Sequence, residues 1–257
     1  MDEPLPPPGL PPEHEDDDSG ERGIVLQSLY SGRITLRLAA ERLASLSLEG
    51  DDLGAGLLDT WSVIHWDAEH SAAYHQILSE LLATIASLPP ARDDEGNQLT
   101  INNNRIWVSL LSEGSERQEI ITIFVNLNKF EATLMRTHHP TFASFDFWAI
   151  VVMREALESL EFNLEIQLPE ALIPAAVAWV SILGPEMYSW DYEFPYGVNL
   201  SDRGRGGPLW NGQHGFCKER WTLWKQRFTE LSSSSELSED LRKLAAEGAT
   251  KMGEAET

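Results

Sequence analysis

Gly206-Gly207-Pro208-Leu209-Trp210-Asn211-Gly212 leads, three residues on, into Phe216-Cys217-Lys218-Glu219-Arg220-Trp221-Thr222-Leu223-Trp224-Lys225-Gln226-Arg227-Phe228. The first stretch is a glycine-rich turn. In the second, Trp221, Trp224, Phe228 and Leu231 recur at steps of three and four residues, the spacing of one helix face. Aromatic side chains bury large areas, so such a face needs a partner. We read the segment as a docking element: Trp210, Phe216, Arg220, Trp221, Trp224 and Phe228, clamped into a helical body. The same stripe would suit a ligand box, but its period is that of a buried helix. Arg220 lies one turn before Trp224, and Lys225 one turn after Trp221, which places cations near both indoles.

Working outward, the apolar pattern is helical almost throughout. Ile24, Val25, Leu29 and Tyr30 suit a first helix ending at Ser31-Gly32. Thr35 caps a second through Leu36, Ala39, Ala40, Leu43 and Leu46. Leu53, Leu57, Leu58, Trp61, Ile64 and His65 form the inner face of a third, and Tyr74 to Ile85 that of a fourth, stopped by Pro89-Pro90. Residues 91–104 read as a polar connection. Glu116–Met135 is a long helical pattern, with a strand at Ile120–Val125 as the minority option. Phe142–Leu160 reads as a central helix. Pro174–Leu183 reads as a buried helix, opened near Pro169 and stopped by Gly184-Pro185. Residues 185–215 form a long, ordered aromatic loop. The expected architecture is all-α, a single multi-helix domain over 22–231 with a Pro-rich acidic disordered tail at 1–21. Residues 232–257 are expected to be a flexible tail with a short helix at Leu237, Leu241 and Leu244. The terminal aromatic helix is expected to pack on 116–136 and 143–160.

The chain has 257 residues, with 41 acids against 19 bases and a formal charge of −22. Residues 1–21 hold eight of those acids and no Lys or Arg, so the remainder still has 33 acids against 19 bases. Nucleic acid and anionic membrane need clustered basic residues, so neither is an expected partner. The longest apolar stretch, Ala171–Leu183, is too short to span a bilayer. Cys217 is the only cysteine, which rules out an intrachain disulfide and points to a reducing compartment, cytoplasmic or nuclear.

Chemistry-bearing residues do not converge in the sequence. Cys217 stands where a helix begins, with His214 three residues earlier, but no orienting group or oxyanion site accompanies them. We read Cys217 as replacing a capping serine. His65, Asp67, Glu69, His70 and His75 lie within eleven residues, but their spacings diverge around a helix and there is no HExxH. Gly204-Arg205-Gly206-Gly207 lacks the lysine spacing of a phosphate loop. No catalytic residue, cofactor or metal is therefore assigned.

The Gly-Gly-Pro-Leu-Trp-x-Gly loop and the Phe-x-x-Glu-Arg-Trp-x-x-Trp-Lys-x-Arg-Phe helix (Phe216 to Phe228) resemble the fungal family called domain of unknown function 3632. Phe124-Val125-Asn126-Leu127-Asn128-Lys129-Phe130-Glu131-Ala132 and Ala175-Ala176-Val177-Ala178-Trp179 extend the resemblance over most of 22–231. It implies a fungal, intracellular, helical protein. The family's usual serine corresponds to Cys217, which argues against an essential hydroxyl there. The resemblance brings no catalytic residues.

Two functional readings follow. One is a non-catalytic protein-interaction or regulatory module, with protein partners and an oligomeric state left open. The other is an enzyme or an accessory of a fungal metabolic pathway, with a small-molecule pocket near 185–215 lined by Asn126, Asn128, Asp191, Tyr192 and Arg220.

Overall fold

The computed structural model describes residues 18–48, 53–89, 117–159, 168–194 and 204–257. Within them the fold is all-α: nine α-helices and one two-residue antiparallel strand pair. The chain divides into two compact units, Met1–Glu113 with His139–Thr141, and Gly114–His138 with Phe142–Thr257.

Unit 1 contains α1 (Asp18–Tyr30), α2 (Leu36–Ser47), α3 (Leu53–His70) and α4 (His75–Ala86), with a 3₁₀ turn at Ala72–Tyr74 leading into α4. α1 starts earlier than the expected Arg22; residues 1–17, with their proline runs, lie outside the described residues. Gly32 ends the α1 turn at φ 68°, which a residue without Cβ adopts freely. Thr35 caps α2 as expected, accepting from the Leu38 amide at 3.3 Å. α2 packs on α4, α1 and α3. Gly56 lets α3 approach α2 closely: a Cβ there would stand 2.6 Å from the Ser47 carbonyl oxygen. Into this junction α1 sends Arg22, a buried cation that its sequence position did not announce. Its Nε donates to Thr60 Oγ1 at 2.9 Å and its Nη2 to the Leu46 carbonyl at 2.9 Å, near the negative end of α2. Leu58, expected on the inner face of α3, is 53 % exposed, whereas Ile64 is buried.

Unit 2 contains α5 (Arg117–Met135), α6 (Asp146–Leu157), α7 (Pro169–Ser189), α8 (Lys218–Ser232) and α9 (Glu239–Glu254). Its two strands, β1 (Tyr192–Glu193) and β2 (Gly215–Phe216), pair Tyr192 with Phe216. α5 is helical through Ile120–Val125, so the β-branched residues there do not make a strand. α7 is the core: Ile173, Ala175, Ala176, Trp179, Val180 and Leu183 are buried, and α5, α6 and α9 pack around it. Gly184-Pro185 kinks this helix without ending it. Leu183 leaves helical geometry (φ −122°, ψ 17°) and the helix resumes to Ser189. Pro185 lacks an N–H, so it fits the first turn of the resumed segment. By length and composition α7 could cross a bilayer, but 67 % of its apolar window is buried within the fold.

α8 buries Arg220, Trp221, Trp224, Phe228 and Leu231, the stripe expected from its period. Its main neighbours are α9 and α6, and the face of α5 is taken by α7 instead. The helix expected around Leu237, Leu241 and Leu244 does not fray after a turn or two. It runs as α9 to Glu254, capped by Ser238, because it has a core to cover: Ala245, Gly248 and Met252 are buried. Gly248 faces the fully buried Phe228 ring, and a Cβ there would lie 2.9 Å from it. Gly248→Ala should therefore lower stability by about 1–3 kcal/mol through overpacking, against the gain of roughly 1 kcal/mol that alanine brings to an open helix site. Urea unfolding of the variant would measure the sign.

Candidate functional site

The sequence motif of loop plus aromatic helix comes together around one ion pair in unit 2. Arg220, on α8, is completely buried, and so is Glu158, the residue that closes α6. Arg220 Nε donates to Glu158 Oε1 at 2.6 Å and Nη2 to Oε2 at 3.1 Å, a forked geometry. Nη1 donates to the carbonyls of Gly204 (2.8 Å) and Gly215 (2.9 Å), and Nη2 also to that of Arg205 (2.8 Å). A guanidinium has five N–H donors, and all five are engaged. The carboxylate is equally occupied. Trp224 Nε1 donates to Glu158 Oε1 at 2.7 Å and the Gly207 amide to Oε2 at 2.6 Å. The Glu158 carbonyl accepts from the Leu209 amide at 3.0 Å.

The glycines of the motif serve this closure. A Cβ at Gly207 would sit 2.7 Å from that of Glu158, and one at Gly212 would sit 2.5 Å from the Trp210 indole. At Gly215 a side chain would strike the Tyr192 carbonyl across the strand pair. Gly204-Arg205-Gly206-Gly207 therefore turns its carbonyls and the Gly207 amide inward rather than out to an anion. Phe216 is the hub of the aromatic residues: Trp190 meets it edge-on at 4.8 Å and Trp224 at 6.0 Å. The Arg220 guanidinium lies 5.4 Å from the Trp224 ring, as its spacing suggested, and also 5.7 Å from that of Trp210. Lys225 behaves otherwise and pairs with Glu256 at 2.7 Å, while Lys218 covers the Tyr188 ring.

The other residues proposed for a pocket are committed elsewhere. Asn128, on α5, accepts from Trp179 Nε1 at 2.8 Å and donates to the Phe124 carbonyl. Tyr192 donates to Asp146 at 2.5 Å, and its burial raises its phenol pKa. Asn126 is buried on α5, whereas Asp191 is exposed beside Gln213. The residues at 195–203 lie outside the described residues. Cys217 occupies the N-cap position without a side-chain capping bond, and burial raises its thiol pKa, the reverse of a reactive thiolate. Sequence reasoning missed Glu158, which ends a helix pattern and reads as a solvated acid. The available signal was Arg220 itself, since a cation on a buried aromatic stripe requires a carboxylate.

In unit 1, the His65–His75 cluster is split: His65, Asp67 and His75 are buried, whereas His70 is exposed. Among the described residues, no three His, Cys, Asp or Glu side chains group as a metal site. His75 meets the Ala68 carbonyl at 2.8 Å, and burial holds His65 neutral, its pKa lowered to about 4. Asp67 accepts from the Tyr30 hydroxyl at 2.5 Å, and the Tyr30 ring stacks on Tyr74 at 4.0 Å. Burial pushes the Asp67 carboxyl from 3.8 up to about 6, against the opposing pull of Tyr30 and His70. A raised carboxyl pKa stabilises the fold while the proton is held. That contribution is complete below pH 3.8 and is lost as pH rises through 6, about 3 kcal/mol in all. Asp67→Asn keeps an acceptor for Tyr30 and should leave stability near wild type at acid pH but raise it at neutral pH. Urea midpoints of both proteins on the two sides of the transition would measure this.

No curated protein and no solved structure matches the chain. The family described as "Protein of unknown function (DUF3632)" matches residues 61–228, from within α3 to the Phe228 end of the aromatic stripe. That span covers the ion pair, its loop and more than half of the sequence, and the chain belongs to this family.

Proposed function

We propose that this protein is a non-catalytic protein-interaction module whose docking surface is the α1–α2 face of unit 1. One observation carries the reading. The large apolar side chains left exposed among the described residues are Ile24 (60 %), Leu58 (53 %), Leu48 (42 %) and Leu38 (38 %), and all belong to unit 1. Ile24 lies in an open groove of about 340 Å³ between α1 and α2, lined by Glu21, Val25, Arg42, Ser45 and Leu46. Of those four only Ile24 lines the groove, where its exposed side chain, beside Val25 and Leu46 and rimmed by polar groups, suits a protein partner. Unit 2, by contrast, spends the polar groups of the family motif on itself, which leaves the small-molecule reading at 185–215 without free donors at Arg220 or Asn128. A reducing compartment, cytosol or nucleus, fits the single cysteine.

A photo-crosslinking residue at position 24, compared with one at the exposed Thr250 of unit 2, tests the assignment in native extract. Adducts formed from position 24 and absent from position 250 are the expected result. Equal labelling, or none, would overturn it.

A further inference from the structure

The α1–α2 groove holds two opposite charges that the rest of the described structure leaves unpaired. Glu21 on α1 and Arg42 on α2 both line it, both are exposed, and neither has a hydrogen-bond or ion-pair partner among the described residues. Other arginines of this face are occupied: Arg37 pairs with Glu41 at 2.6 Å, and Arg33 donates to Ser31 Oγ at 2.8 Å. Ile24, Val25 and Leu46 form the apolar part of the groove.

This face also departs from the charge of the whole. Its exposed charges are Arg33, Arg37 and Arg42 against Glu21 and Glu41, Arg22 being buried. The full chain carries 41 acids against 19 bases, and the α1–α2 face lacks that excess of acid, so a second copy meeting it there is not opposed by local like charge. A two-fold interface is isologous, so whatever residue i offers, the partner offers back. An unpaired acid and an unpaired base flanking one apolar trough are complementary to their own rotated copy.

We propose that the groove's occupant is a second copy of this chain, docked α1–α2 to α1–α2. Glu21 then faces Arg42 of the partner subunit, the reciprocal pair closes the other side, and the exposed Ile24 is covered at the centre. The proposal rests on the docking role of α1–α2 given above. Helices of 13 and 12 residues offer a face about 20 Å long, on the order of 400 Å² per copy. Both copies together then bury about 800 Å², less than the roughly 1,200 Å² of a stable interface, so the dimer is weak and depends on concentration.

Sedimentation velocity of the full chain, from roughly 10 µM to a few hundred µM, reads this directly. The sedimentation coefficient should rise with concentration. Glu21→Arg and Arg42→Glu should each raise the dissociation constant at least about tenfold by setting like charges face to face. The double variant, Glu21→Arg with Arg42→Glu, re-forms both pairs with reversed sign and should return to within a few-fold of wild type. Ile24→Asp should keep the chain monomeric. All three positions changed in these variants are at the surface, so unchanged melting temperatures serve as the folding control. A wild-type chain that stays monomeric throughout overturns the second-copy assignment, as does a double variant no better than the singles. If the purified chain is monomeric while position 24 still crosslinks a different protein in extract, docking at α1–α2 stands and self-association falls. If neither association nor adduct appears, both fall.

Discussion

Replacing Arg220 with methionine should destabilise unit 2 by about 3–5 kcal/mol. The variant strands the Glu158 carboxylate in a dry site, and the carbonyls of Gly204, Arg205 and Gly215 lose their donor. Burying a charge pair is itself costly, and its net benefit is small; removing one member is what does the damage. The matched change, Glu158→Gln with Arg220→Met, should therefore recover part of the loss, and a double-mutant cycle would report a coupling of more than about 1 kcal/mol. Urea unfolding measures both, with an unchanged m-value showing that only stability moved. A loss below about 1 kcal/mol for Arg220→Met would mean that water reaches the pair and that the loop is not anchored through it.

Trp224→Ala should cost a similar amount, about 3–5 kcal/mol, by opening a cavity beneath α8. The indole is 1 % exposed and also supplies one of the Glu158 hydrogen bonds, so two losses coincide. Trp224→Phe separates them: it keeps most of the packing and removes the N–H, with an expected cost of roughly 1–2 kcal/mol. Trp221→Ala should fall below Trp224→Ala, because its Nε1 bond goes to Glu256 at the molecular surface rather than to the buried pair. Unchanged thermal melting of both alanine variants would contradict the clamped α8.

The helical period carried most of the fold. α2 with its Thr35 cap, α5, and the buried stripe of α8 follow from spacing alone, because each has one apolar face and a local stop signal. Two features escaped that reasoning for physical reasons. Gly184-Pro185 reads as a terminator, but the missing donor and the ring clash of proline act on the preceding turn only, and a chain that bends at Leu183 can place it in a fresh first turn. α9 looks weak because its own apolar residues are sparse; its order comes from Phe228 and the α7 surface, which are distant in sequence. The motif at 206–228 announced an important assembly, and it named Arg220. It did not name Glu158, because an acid becomes an ion-pair partner only once the fold brings it to the cation. Leu58 was likewise assigned inward by period, since periodicity shows that a face exists and is silent on how much of it finds a neighbour.

The indole N–H groups of Trp179, Trp221 and Trp224 each donate to a side-chain oxygen, those of Asn128, Glu256 and Glu158. Together they make a set of internal clocks. In heavy water, the protons at 179 and 224 can leave only when the whole core opens, whereas the one at 221 needs only the turn just beyond α9, which carries Glu256, to lift. Two slow resonances and one fast one would time the breathing of the carboxy-terminal end against global unfolding in a single spectrum.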